Sequence, residues 1–284
     1  MSSALLADLF PKRRKFFLNI SQMAYCLGAV GGPAAMGRLL PLGVSWRWFF
    51  AGTAAGGVVL LVLFALSHAP RPQRQEHSRG FPLHALRASV LLPALLVFLY
   101  VLAEMGTATF MNTYLREGCA APESWAIYAL SIFWAAMVAG RALCALLPES
   151  VPEHRVVSVL MLLSGIGLLA QAGVESWTAA VACFAFTGFA FSGIWPLIVA
   201  MTASRNPHGT GVAVGVTVAC GSLGCVVAPP LFGRLIAGAE PADAFVWMAA
   251  ILFVGALLSL AAGRIMNQPP PQSDDDTMGN PNNG

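Results

Sequence analysis

Hydrophobic positions in this chain come in long unbroken runs, separated by short polar stretches. A hydrocarbon core about 30 Å thick takes ~20 apolar residues of helix to cross, and eight runs reach that scale. They cover about Phe16 to Leu40, Trp48 to Leu66, Val90 to Tyr114, Trp125 to Leu147, Val156 to Gly173, Trp177 to Thr202, Val212 to Ile236 and Ala244 to Ile265. The polar punctuation between them is informative in turn. A basic cluster, Lys12 to Lys15, precedes the first run. The longest interruption, residues 68–89 (HAPRPQRQEHSRGFPLHALRAS), divides two runs from six. The last residues, 267–284, are rich in Pro, Asn and Asp and are expected to be disordered.

Two of these runs repeat one another. Leu27 to Leu39 reads LGAVGGPAAMGRL and Leu223 to Leu235 reads LGCVVAPPLFGRL. At a constant offset Leu27, Gly28, Val30, Pro33, Gly37, Arg38 and Leu39 fall on Leu223, Gly224, Val226, Pro229, Gly233, Arg234 and Leu235, and Pro11 falls on Pro207. In an apolar helix, glycine permits close backbone approach and proline permits a bend at tolerable cost. Gly28, Gly32, Pro33 and Gly37, with Gly224, Pro229 and Gly233, are therefore expected to serve helix packing and bending. The first run thus matches the seventh, and Trp48 and Phe49 of the second fall near Phe245 and Trp247 of the eighth. The period is six helices. Runs three to eight make a complete six-helix unit, and runs one and two read as the last two helices of a preceding unit whose first four are not in this sequence. The expected organisation is residues 1–67 as those two helices, 68–89 as a linker, 90–266 as the six-helix bundle and 267–284 as a tail.

Composition agrees with an integral membrane protein. The chain has 284 residues, is 57% hydrophobic and only 10% charged, with a mean hydropathy of +0.70, above the roughly 45–50% apolar usage of soluble domains. Eight crossings put both termini on one side. Of the 16 Lys and Arg, only Arg38, Arg47, Arg116 and Arg234 fall on the opposite side. The excess marks the cytoplasmic face, so both termini are expected in the cytoplasm and the protein in the plasma (inner) membrane. The net charge of +3 gives no reason to expect nucleic acid. The opening residues lack the features of a cleaved signal peptide. Five of six cysteines lie in apolar runs and only Cys119 in a polar loop, which is no disulfide framework. The five histidines have no second ligand at metal spacing, and no glycine-rich loop with a lysine is present to cradle ATP. No cofactor is expected.

These residues resemble the major facilitator superfamily across nearly the whole chain. Gly28, Gly32, Pro33 and Gly37 look like its glycine and proline motif in the fifth helix, and LADLFPKRRKFFLN resembles the loop entering that helix. The arginine-rich stretch resembles the loop between the two halves, and Gly140 with Arg141 the loop between the eighth and ninth helices. YVLAEMGTATFMNTYL and SGIWPLIVAMT resemble the fucose and glucose/galactose permease branch. The resemblance implies an all-α membrane fold of two bundles that carries a small polar solute, a sugar being the first candidate, by alternating access with proton coupling. It also implies that the helices holding most of that branch's solute-binding and proton-coupling acids are not in this sequence.

Candidate site residues follow from polarity inside the runs. Glu104 is the one acid well inside a run. A carboxylate there costs several kcal/mol unless it is protonated, paired or facing water, so it either lines a solute or proton pathway or bonds a neighbouring helix. Thr107 and Met111 share its face and Asn112 lies beside it, though Asn112 also suits a helix-end hydrogen bond. Trp195 could stack on a sugar ring or simply pack. Pro196 breaks its helix where protein or a cavity must satisfy the freed carbonyl. Gly140 and Arg141 are assigned to a cytoplasmic gate, Arg141 pairing with Glu149 or Glu153, against simple snorkelling. No pair of acids, His cluster or Ser/Lys pair in the runs argues for an enzyme. The competing classes are an exporter of drugs or metabolites and a membrane protein without transport activity. The expected partners are the lipid bilayer, a small-molecule solute, protons, and other copies of the chain through uncovered helix faces.

Overall fold

In the computed structural model of the chain, residues 2–66, 88–207, 209–235, 237 and 240–266 are described, and the described residues are all helical or in turns. A short helix α1 (Ser2–Leu9) leads into α2 (Arg14–Leu39), then α3 (Trp46–Leu66), α4 (Ala88–Thr113), α5 (Glu123–Ala145), α6 (Glu153–Ala172), α7 (Trp177–Phe191), α8 (Ile194–Arg205), α9 (Thr210–Leu235) and α10 (Asp243–Met266). Each expected run is a helix, the sixth being α7 and α8 together. Seven spans are long and apolar enough to cross a membrane. The first run, α2, is not among them, because Asn19, Ser21 and Gln22 dilute its apolar stretch. Most of the expected linker lies outside the described residues, as do the tail and His208.

Local chemistry explains the helix ends. Gly43 closes the turn between α2 and α3 with φ 83° and donates its N–H to Leu40 O, a conformation that costs glycine little. Pro122 and Pro152 stand just before α5 and α6, each followed by a glutamate in the first turn that suits the positive end of the helix dipole. The last turn of α4 widens into a π-turn, Tyr114–Gly118. There the Tyr114 hydroxyl donates toward the carbonyls of Gln171 and Val174, 2.6 and 2.7 Å away, tying α4 to the end of α6. The interruption at Ser192 and Gly193 comes one turn before Pro196, where the sequence placed a break.

The bundle is built by helix pairs: α4 on α9 and α10, α6 on α10 and α7, and α5 on α7, with α2 laid against α5 and α8. Its centre holds Tyr100, Phe133, Phe184, Phe191, Phe232 and Phe245. Lipid offers no hydrophobic drive for helices to associate, so close van der Waals approach must do it. A Cβ on Gly140 would run into Ser192 and the Phe189 carbonyl, and one on Gly188 into the Phe133 carbonyl, which lets α5 and α7 touch along their backbones. Gly140 is therefore a helix-crossing residue and not part of a loop. By contrast, no part of the apolar stretch of α3 is covered, against 56% for α4.

Candidate functional site

Glu104 sits in the interior with 7% of its surface exposed. One helical turn earlier on the same face, Tyr100 donates its hydroxyl to Glu104 Oε1 at 2.6 Å, as an (i, i+4) pair allows. Arg141 of α5 lies close enough for its charge to act on Glu104, and so do Tyr25 and Cys26 of α2 and Cys225 of α9. The acid thus stands where four helices meet. Arg141 is itself 2% exposed. It donates to Gln22 Oε1 of α2 at 3.3 Å and approaches Met137 Sδ at 3.4 Å, while its Nε has no partner. A buried guanidinium with a free N–H, facing a buried carboxyl that already accepts a phenol, can bind an anion, a hydroxyl or a proton's charge change.

The other expected residues separate from this centre. Thr107 donates back to Ala103 O at 2.8 Å and faces Met248 of α10, so its hydroxyl is spent on its own helix. Met111 and Asn112 line a different cavity of about 200 Å³ between α2, α4 and α5, with Pro33, Met36 and Leu40 opposite. That cavity is apolar apart from Asn112. Trp195 is half-buried, seated so that a Cβ on Gly221 would come within 2.6 Å of its ring, and its indole N–H is buried without a partner. Pro196 is buried in the first turn of α8.

Two corrections concern the gate and the glycines. Arg141 pairs with neither Glu149 nor Glu153; Lys15 does. The ammonium of Lys15, 1% exposed, lies 4.0 Å from Glu149 and 3.6 Å from Glu153. It also donates to the carbonyls of Pro148, Glu149 and Val151 at 3.3, 3.1 and 2.6 Å. The physical reason is reach: Arg141 is drawn inward to Gln22, whereas Lys15 stands at the level of the α5–α6 turn. Gly28 and Gly32 do not pack; nothing lies within 4 Å of a Cβ at either. Gly37, Gly224 and Gly233 do have neighbours, with Tyr128 at 3.0 Å, the Phe98 carbonyl at 3.0 Å and Phe110 at 3.8 Å. Pro33 and Pro229 lie inside unbroken helices.

Tyr100, Gln22 and Lys15 were not singled out from sequence. Tyr100 carried a signal, being four residues before the only acid in its run. Gln22 carried a weaker one, as an amide inside an apolar stretch. Lys15 carried none beyond belonging to a basic cluster, since most of its acceptors are backbone carbonyls.

Comparisons with known proteins place this geometry. The sequence profile of the Major Facilitator Superfamily matches twice, over residues 1–153 and 94–281. An MFS-type transporter of Gibberella moniliformis is 27% identical over 244 residues, covering 84% of this chain and 58% of that protein. The enterobactin exporter EntS of Salmonella choleraesuis is 27% identical over 267 residues, covering 90% and 64%. The chain thus spans less than two thirds of these relatives' length. Among solved structures, the fucose:proton symporter FucP of E. coli in its outward conformation superposes with a TM-score of 0.70 at 18% identity, covering 94% of this chain and 72% of that one.

Proposed function

The chain belongs to the Major Facilitator Superfamily, and on that premise we propose that it moves a small polar solute across the membrane by alternating access, with Glu104 binding solute hydroxyls or a coupling proton. The observation that carries this reading is the buried Tyr100–Glu104 pair beside Arg141, itself held by Gln22 of α2. Tyr100 and Glu104 share one helix, so their bond survives any rocking between bundles. The Arg141–Gln22 bond joins α5 to α2 and does not. A solute or proton that changes the charge facing Arg141 then has different binding energy in the two states, which is what coupling requires. Lys15, bridging the start of α2 to the α5–α6 turn, supplies the latch that closes this end of the path.

The organisation proposed is a six-helix bundle, residues 90–266, preceded by two helices of a second bundle, with eight crossings and both termini cytoplasmic. The repeat and the distribution of Lys and Arg support it, and so does a family profile that matches twice. The faces of α2 and α3 left open here are where the rest of that second bundle would lie.

A second reading is export of an anionic metabolite. It is favoured by the enterobactin exporters among the relatives and by the buried, unpaired Arg141 Nε. Proteoliposomes containing the chain, given labelled fucose or galactose under an inward proton gradient, test the first reading; counterflow of enterobactin in inverted vesicles tests the second. Uptake should fall at least tenfold in Glu104→Gln. Equal rates in variant and parent would remove Glu104 from the mechanism, and no flux of any solute would favour a membrane protein without transport activity.

A further inference from the structure

Away from the central site, the first turn of α6 and the last turns of α10 enclose an open cavity of about 250 Å³, lined by His154, Arg155, Leu260, Gly263 and Arg264. It is far larger than the roughly 30 Å³ a water takes up in the liquid. We propose that this cavity is a binding site for the phosphate headgroup of an anionic phospholipid, whose acyl chains lie along α6 and α10.

Three observations converge on it. The first is charge. Arg155 and Arg264 line the cavity together with His154, and Arg205 is near enough for its charge to reach His154. The neighbouring acid, Glu153, is engaged 3.6 Å from Lys15, so it does not cancel the arginines facing the cavity. The second is construction. Ser259 donates to the His154 carbonyl at 2.8 Å, and Ser158 to the Ala256 carbonyl at 2.8 Å, cross-bracing the two helices below the cavity. Gly263 is where the His154 ring rests, since a Cβ there would overlap it. The third is what lies beyond the cations. Val159, Leu162 and Ile166 of α6 and Val254, Leu257 and Leu260 of α10 are all exposed large apolar side chains. A free phosphate would use only the cations, whereas a phospholipid uses the cations and the apolar faces beside them. Basic pockets between membrane helices at the interface are where anionic headgroups bind.

The test uses the purified full chain in dodecylmaltoside, titrated with phosphatidylglycerol, phosphatidylcholine or inorganic phosphate, and read by native mass spectrometry and by melting temperature. Phosphatidylglycerol should be retained as a one-to-one adduct and raise the melting temperature, while phosphatidylcholine and phosphate do neither. Each arginine near an anionic headgroup is worth about fivefold in affinity, so Arg155→Gln with Arg264→Gln should weaken retention roughly thirtyfold. Arg155→Lys with Arg264→Lys should restore most of it and control for folding. Unchanged retention in the glutamine variant would overturn the proposal. So would equal stabilisation by inorganic phosphate, which would make this an anion site only. Lipid retention seen only after removal of residues 267–284 would also overturn it, making the aspartates at 274–276 the resident anion.

Discussion

The two copies of the glycine and proline motif have nearly the same sequence and opposite surroundings. In α9, Gly224 is pressed against the backbone of α4, with a Cβ position 3.0 Å from the Phe98 carbonyl and 3.2 Å from the Leu102 amide. In α2, the equivalent Gly28 has nothing within 4 Å, and Gly32, equivalent to the fully buried Ala228, has nothing either. Their following helices differ in the same way. α10 is buried by α6 and α4, while α3 touches almost nothing and exposes Val58 to Phe64. The motif therefore does not create packing. It leaves room for a partner helix, and only the copy whose partner is present uses that room.

The contrast is sharpest between α10 and α3. Leu252 is fully buried and Leu61 is 71% exposed. Leu252→Ala should cost about 2–4 kcal/mol of stability, as in other large-to-small core changes, and Leu61→Ala almost nothing, measured by thermal unfolding of the purified chain. A cost at Leu61 comparable to that at Leu252 would show that something covers α3 in solution, a second copy being the first suspect. The motif glycines come next. Gly224→Leu must push against backbone that cannot swing aside and should lose about 1–3 kcal/mol, whereas Gly28→Leu should leave this chain's melting temperature unchanged. If α2 gains its missing partners from further helices, Gly28→Leu should become as harmful as Gly224→Leu in that assembly.

Much of the architecture was legible because membrane helices announce themselves by length and apolarity. All eight expected stretches are helical, and the break before Pro196 was visible as a Gly–Pro pattern. Only α2 falls short as a spanning helix, because Asn19, Ser21 and Gln22 face neighbouring helices and so need no apolar side chain. The candidate site was legible in part. Glu104 stood out as an acid in an apolar run, and its burial follows from that. Thr107 shared its helical face yet turned its hydroxyl onto Ala103 O, a local bond that sequence periodicity does not distinguish from a free one. What the chain could not reveal was distance across helices. Glycine was read as a packing residue at Gly28 and Gly32, which presumes a neighbour. Arg141 was paired with Glu149 and Glu153 by sequence proximity, when the residue at the right depth came from 134 positions away, Lys15.

That exchange of cations is the finest point of the comparison, because it decides what holds α2 in place while its other face lies open. α9 is fixed along its length by α4. α2 rests on α5, where Ser131 donates to the Val30 carbonyl at 3.0 Å, and its start is clamped by Lys15. The ammonium is buried at 1% while Glu149 and Glu153 are 41% and 24% exposed, so solvent weakens the ion pairs and the three carbonyl bonds carry most of the interaction. Charge-assisted hydrogen bonds of this kind contribute about 1.5–3 kcal/mol when broken. Lys15→Met keeps the stem's bulk and removes the donors, so amides at 148–155 should exchange on the order of tenfold or more faster with solvent. Arg141→Gln should leave those amides alone and disturb α2 only near Gln22. If instead Arg141→Gln releases the α5–α6 turn and Lys15→Met does not, the guanidinium is the clamp after all, and α2 is anchored from the centre of the bundle, not from its end.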